Sequence, residues 1–273
     1  MTVPPRRVVA LFLAVSASAV LAAGCEPGEP GAPSAQGMAT HPGAMHTEGG
    51  EGGEGAEGGE GAGGGGFGVR SPEGYATTLQ LMRGHLAAGR QLLARGMAAE
   101  AQPHIAHPID ELYGDLEPEV QRRGARPFLD QLTELKTRLQ AAPAAPETSA
   151  ALEAVEASID QAMAGVPPQQ REDPAFVVAV IRELIRTAAE EYDAAVAGDR
   201  FVEVLEYQDS LGFLLVAEQL LEPIAPALKR TNPEQAAKLQ KTLAELKRAW
   251  PSILPPARPV LTPGQVTALA LGA

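Results

Sequence analysis

A single cysteine, Cys25, serves the whole chain of 273 residues, so no internal disulfide can form. Runs of β-branched residues are also scarce, and no strand pattern survives a pass along the sequence, which removes sheet-based folds. Basic residues are outnumbered: 22 Lys and Arg stand against 34 Asp and Glu, for a formal net charge of −12. Without a basic stripe to replace counterions, nucleic-acid binding is excluded. There is no Gly-rich phosphate loop between a strand and a helix, no Gly-x-Ser-x-Gly elbow and no His-Glu-x-x-His pair. Glu190 and Glu191 are adjacent on an expected helix, where neighbours do not face one another, and read as a solvated face. Nothing specific supports an enzyme, and a metal-dependent one ranks last among the readings below.

The amino terminus is a different material. Arg6 and Arg7 precede an apolar run from Val8 to Ala23, followed by Gly24 and Cys25. This order is that of a secretory signal, and the run is shorter than the roughly 20 residues of a spanning helix. The stretch Leu21-Ala22-Ala23-Gly24-Cys25 resembles the lipobox of bacterial lipoproteins, with Ala22 where that motif more often has leucine. The resemblance implies cleavage after residue 24, a palmitate-type lipid on Cys25 and attachment to a membrane. Glu26 stands where an aspartate would resemble an inner-membrane retention signal, so the expected location is the outer membrane. Removing the two leader arginines takes the net charge to about −14.

Residues 26–70 hold 17 of the 29 glycines, seven glutamates and no basic residue before Arg70. Such a segment buries too little surface to offset its ordering entropy and reads as a disordered spacer over residues 25–70. Met38, His41, Met45 and His46 form a short Met/His cluster within it.

Residues 71–273 are rich in Ala and Leu and read as an all-α helical bundle of one domain. Cap residues followed by proline mark helix starts at Ser71-Pro72, Asp173-Pro174 and Asn232-Pro233, and Thr262-Pro263-Gly264-Gln265 caps a short last helix. Helices are expected from Ser71 to about Arg95, then from Met97 to about Leu116 with a bend at Pro103 and Pro108. Further helices are expected over 126–141, 149–164, 174–197, 200–221 and 233–249, with Pro223 and Pro226 in a connection. Gly96–Leu116 aligns without a gap on Gly198–Glu218, and Leu132–Lys136 resembles Leu243–Lys247. Two pseudo-symmetric repeats of helical hairpins, about 75–141 and 174–250, follow from this.

All three histidines of this domain, His85, His104 and His107, fall within 23 residues. His104 and His107 are three apart, so on a helix their rings share a face, with Glu111 one turn further along. The repeat places Glu206 and Asp209 opposite them. Together with His85 these residues form a possible N/O donor set suited to zinc, iron, manganese or copper(II), to which Met82 would add a soft ligand. The set resembles in logic the carboxylate–histidine sites of ferritin-like bundles but lacks their paired Glu-x-x-His motifs. A second reading stays open, in which the histidines are hydrogen-bonded packing residues and Glu206 and Asp209 lie on a solvated face.

Met82-Arg83-Gly84-His85-Leu86, the stretch from His104 to Tyr113, and Glu206-Tyr207-Gln208-Asp209 resemble segments of a group of exported proteobacterial all-helical proteins. That resemblance draws attention to these residues and implies no activity. The expected function is a membrane-tethered extracytoplasmic lipoprotein that binds a transition metal through His85, His104, His107, Glu206 and Asp209. The alternative is a metal-free envelope scaffold that uses its spacer to reach a protein partner.

Overall fold

Where Ala and Leu recur throughout, helix ends are set by the residues that satisfy the open amides of each first turn. The computed structural model describes residues 68–273. The leader, Cys25, the spacer up to residue 67 and the Met38/His41/Met45/His46 cluster lie outside the described residues; at the end of the spacer, Gly68 and Arg70 are not disordered but accept hydrogen bonds, Gly68 from Ser71 and Arg70 from Arg122 and Arg123. In chain order the elements are α1 (Pro72–Leu93), α2 (Ala98–His107), a π-helical turn (Pro108–Tyr113), α3 (Gly114–Arg122), α4 (Leu129–Ala141) and α5 (Pro146–Met163). After them come a single turn α6 (Pro168–Arg171), α7 (Pro174–Ala195), α8 (Val204–Thr231), α9 (Pro233–Leu246) and α10 (Pro263–Leu271). The fold is all-α. Ser71, Asp173 and Asn232 each accept an amide of the first turn through their side chains, and Thr262 with Gln265 forms a reciprocal capping box.

The differences from the expected boundaries have physical causes. Pro146, which falls between the helices expected over 126–141 and 149–164, instead opens α5, where its missing amide costs nothing. Pro223 and Pro226 do not end a helix but lie inside α8. Both are exposed, so the carbonyls they leave open face water, while Leu221, Ile224 and Leu228 carry the buried face through. Among the described residues one antiparallel pair departs from helix: Val196 faces Phe201 and Ala197 faces Arg200 across the positive-φ Gly198. Glu191 is buried rather than solvated; the exposed member of that pair is Glu190, which pairs with Arg186.

The two halves share an element order. α1 and α7 each run 22 residues from a cap–proline start. Each is followed by a positive-φ glycine, Gly96 at 74° and Gly198 at 64°. α4 and α5 pair beside α1 and α2 as α9 and α10 do beside α7 and α8. The match of Leu132–Lys136 to Leu243–Lys247 does not hold in space. The first lies in the opening turns of α4 and the second at the end of α9, a slip that an Ala/Leu-rich helix tolerates because its apolar face repeats every two turns. Packing between the halves is unequal, since α1 lies along α8 whereas any α7–α2 contact is marginal.

α8 is the axis of the bundle. Among the described residues it is the one helix long and apolar enough to cross a membrane, with a mean hydropathy of 1.4, yet half of that window is buried against its neighbours. A helix apolar on most sides suits the centre of a bundle. The four tyrosines fasten the periphery to it. The Tyr113 hydroxyl accepts the Phe128 and Leu129 amides that open α4, and Tyr75 donates to the Ala162 carbonyl near the end of α5. Tyr207 and Tyr192 donate to the Ser252 and Leu261 carbonyls of the segment leading to α10. Burial pushes their hydroxyls up, to about 12 for Tyr75 and Tyr192, which keeps them protonated donors.

α1 and α8 cross closely at two glycines. A Cβ on Gly212 would meet the Gly84 carbonyl oxygen at 2.1 Å, and one on Gly84 would meet the Phe213 ring at 2.3 Å. The first obstacle is backbone, which cannot swing aside. Gly212→Ala is therefore expected to lower stability by about 1–3 kcal/mol, as overpacking at a fixed contact does, despite the better helix propensity of alanine. Urea unfolding followed by circular dichroism checks this, and an unchanged or raised midpoint would refute the close crossing.

Candidate metal centre

A buried carboxylate is costly unless its oxygens are met by donors. Asp209, on the core face of α8, is 1% exposed and meets three imidazoles. His85 of α1 and His104 of α2 donate from Nδ1 to Oδ1, each at 2.7 Å, and His107, the last residue of α2, donates from Nδ1 to Oδ2 at 3.1 Å. Burial is the strongest influence on the Asp209 carboxyl and would raise its pKa. It is outweighed by the charge of His85 and the bonds from His104, His107 and His85, which hold the group well below the usual carboxylate range.

The three imidazoles are not equivalent. His104 is fully buried and both its nitrogens are engaged, Nδ1 with Asp209 and Nε2 with Gln208 Oε1 at 2.9 Å. With both nitrogens engaged, His104 has none left to offer a ligand. His85 and His107 spend only Nδ1 on Asp209, and each keeps Nε2. Their rings meet edge to face at 5.3 Å between centroids, and Phe213 backs His85 at 4.9 Å. Glu111 places Oε1 3.5 Å from His107 Nε2. One ligand atom from each of His85, His107 and Glu111 lies within 4.8 Å of the others, a spacing that one cation can span.

Local backbone chemistry puts Glu111 there. Pro108 has no amide to offer the His104 carbonyl, and the chain continues as the wider π-helical turn Pro108–Tyr113, with Glu111 inside it. The cluster grades from dry to wet. His85 is 4% exposed, whereas the side chains of His107 and Glu111 are 17% and 24% exposed. Glu206 is half-buried, three residues before Asp209, and acts on the charge of His107 without a direct bond to it. Met82 is enclosed in the hydrophobic core.

The structure therefore brings His85, His104, His107 and Asp209 together and sets Glu111 and Glu206 at the rim. Asp209 serves the rings rather than facing them across an ion. This carboxylate–imidazole–open nitrogen order is that of outer-sphere carboxylates in metal sites. Sequence reasoning gave Gln208 no role beyond its place in a shared segment, and missed Phe213 and the Gly84–Gly212 crossing. The glycines left a readable signal, because glycine inside an Ala/Leu-rich helix is unfavourable by about 1 kcal/mol unless something must come close.

His107 carries a pH dependence. Burial, the largest influence, opposes its charge, but the hydrogen bond and charge of Asp209, together with Glu111 and Glu206, raise its pKa from 6.5 to about 9. Because the folded state binds this proton more tightly, the stability it contributes is complete below about pH 6.5 and is lost as pH rises through about 9. The urea midpoint of metal-free protein is expected to fall across that window, and His107→Gln to flatten the decline. An equal slope in the variant would remove His107 as the cause.

One family model matches the chain over residues 167–273, and it describes an iron permease-associated 4-helix bundle domain. Neither a curated protein nor a solved structure matches. The matched segment runs from α6 through α10 and so contains Asp209 and Glu206, while every histidine of the described residues precedes it. The carboxy-terminal part of the chain is thus similar to a helical-bundle domain associated with iron permeases.

Proposed function

We propose that the protein is a lipid-tethered extracytoplasmic helical protein that holds a transition-metal ion at the His85/His107/Glu111 cluster. The observation that carries this reading is the convergence of three ligand atoms within 4.8 Å beside a buried carboxylate that orients two of the rings. His85, His107 and Glu111 would touch the ion, with Glu206 in reach of the same rim. Asp209 and His104 would hold the rings from behind. Two imidazoles and a carboxylate suit Fe(II), Mn(II), Zn(II) or Cu(II), and the absence of a thiolate disfavours softer ions. Among these, iron is favoured by the family model's association with iron permeases. In this reading the ion is cargo or signal, bound at the edge of the bundle and exchangeable with solvent.

The rest of the chain is read in the same frame. Residues 1–24 would be the export signal, residues 25–70 the lipid-bearing spacer and residues 71–273 the binding domain. Lipid on Cys25 would supply the membrane context, in the outer membrane by the Glu26 criterion. A metal-free scaffold is the competing reading, and it is favoured by one feature: both nitrogens of His104 are satisfied without any ion.

Elemental analysis and calorimetric titration of the purified protein with Fe(II), Mn(II) and Zn(II) decide between them. One ion per chain is expected, with affinity lost at least tenfold in His85→Ala/His107→Ala while helicity persists. No binding by the unaltered protein would leave the scaffold standing. For the tether, Cys25→Ser is expected to abolish labelled palmitate incorporation and to move the protein from the membrane to the soluble fraction. Retention in the membrane without label would overturn the lipid assignment.

A further inference from the structure

α1 has a second polar face. Gln80, Arg83 and Arg90 recur at helical spacing, and His85, two residues beyond Arg83, points more than half a turn away. Over this face α1, α5 and α8 leave a cleft of about 420 Å³, with Arg171 of α6 at its edge. That volume lies in the range of small-molecule sites. At one end the cleft runs into an apolar recess of about 60 Å³ against Phe176 and Val180, which shares Gln80, Met163 and Arg171 with it.

The polar groups of the cleft are under-used. Gln80 is 5% exposed, and its amide, which lines the cleft, bonds to none of the described residues. Arg83 Nε is buried without a hydrogen-bond partner, and the remainder of that guanidinium pairs with Asp160, whose side chain is 70% exposed. An ion pair with so exposed a carboxylate is weak and easily exchanged. Arg171 gives Nε to the Val166 carbonyl at 2.9 Å and has no acidic partner among the described residues. A buried donor left unmade, as Arg83 Nε is, calls for an occupant that completes it. Two guanidinium groups and the amides of Gln80 and Gln219 thus gather beside one exposed acid, in a chain whose net charge is −12.

We propose that this cleft is a binding site for a small organic carboxylate with an apolar tail. Arg83 and Arg171 take the carboxylate, since the planar guanidinium fork matches it in bidentate fashion, and the Gln80 amide donates to it. Met163 and Leu220 flank the tail, which ends in the Phe176/Val180 recess. Asp160 is displaced to solvent. The site is separate from the His85/His107/Glu111 cluster and does not depend on it.

The test uses the purified full chain, with hexanoate as the amphiphilic carboxylate, acetate as its tail-less counterpart and inorganic phosphate as the other oxyanion, followed by calorimetry. Hexanoate is expected to bind saturably with Kd at or below about 1 mM and acetate at least tenfold more weakly. Arg171→Gln and Gln80→Ala are each expected to weaken hexanoate at least tenfold, with metal binding and helicity unchanged. No saturation by about 10 mM hexanoate, equal affinity in both variants, or binding of phosphate alone would overturn the proposal.

Discussion

The structure turns on one buried carboxylate. Asp209 sits near the middle of the bundle, where an isolated charge would cost several kcal/mol, and stays ionised because three imidazole N–H groups reach it from two other helices. Those bonds draw together segments 102 to 124 residues apart in sequence. The surrounding backbone serves the same point. The Gly84–Gly212 crossing lets α1 approach α8 closely enough for a 2.7 Å bond from His85, and Pro108 turns the chain after His107 so that Glu111 joins the rim. Removing a partner from such a cluster leaves charge behind, so its members are coupled rather than additive.

Much of the helical frame was legible. Cap–proline pairs marked the starts of α1, α7, α9 and α10, because the side chains of Ser71, Asp173, Asn232 and Thr262 do local work that sequence spacing reveals. The positive-φ turns at Gly96 and Gly198 underlie the gapless match between the halves. Proline was less informative. The same residue opens α5 at position 146 and rides inside α8 at positions 223 and 226, and which of these occurs depends on whether the open carbonyls face water.

At the candidate centre, clustering in sequence pointed to His85, His104 and His107, and the alignment of halves pointed to Asp209. Roles within the cluster were not legible. Whether a carboxylate faces an ion or the back of an imidazole is decided by a few ångströms of helix rotation, which residue type and spacing do not encode. Gln208 was named only as part of a shared segment, for a related reason: a glutamine between Tyr207 and Asp209 shows no role as a partner of His104 until the burial of α8 is known. The tyrosines were silent as well, since a hydroxyl that fastens a distant carbonyl leaves no local pattern.

The two halves contribute unequally to the centre: the first holds the imidazoles and Glu111, and the second, similar to the permease-associated bundle, holds the carboxylate that aims them. This division imposes an order on assembly. While the chain is being made, His85 and His107 emerge more than a hundred residues before Asp209, and contacts so distant in sequence form late. Until α8 has docked, the rings have nothing to fix their rotation, and their open nitrogens do not converge. The alignment of the rings is therefore absent from any nascent chain and comes into being only when the last half of the bundle closes, so the candidate centre is a property of the folded whole rather than of the segment that carries the histidines.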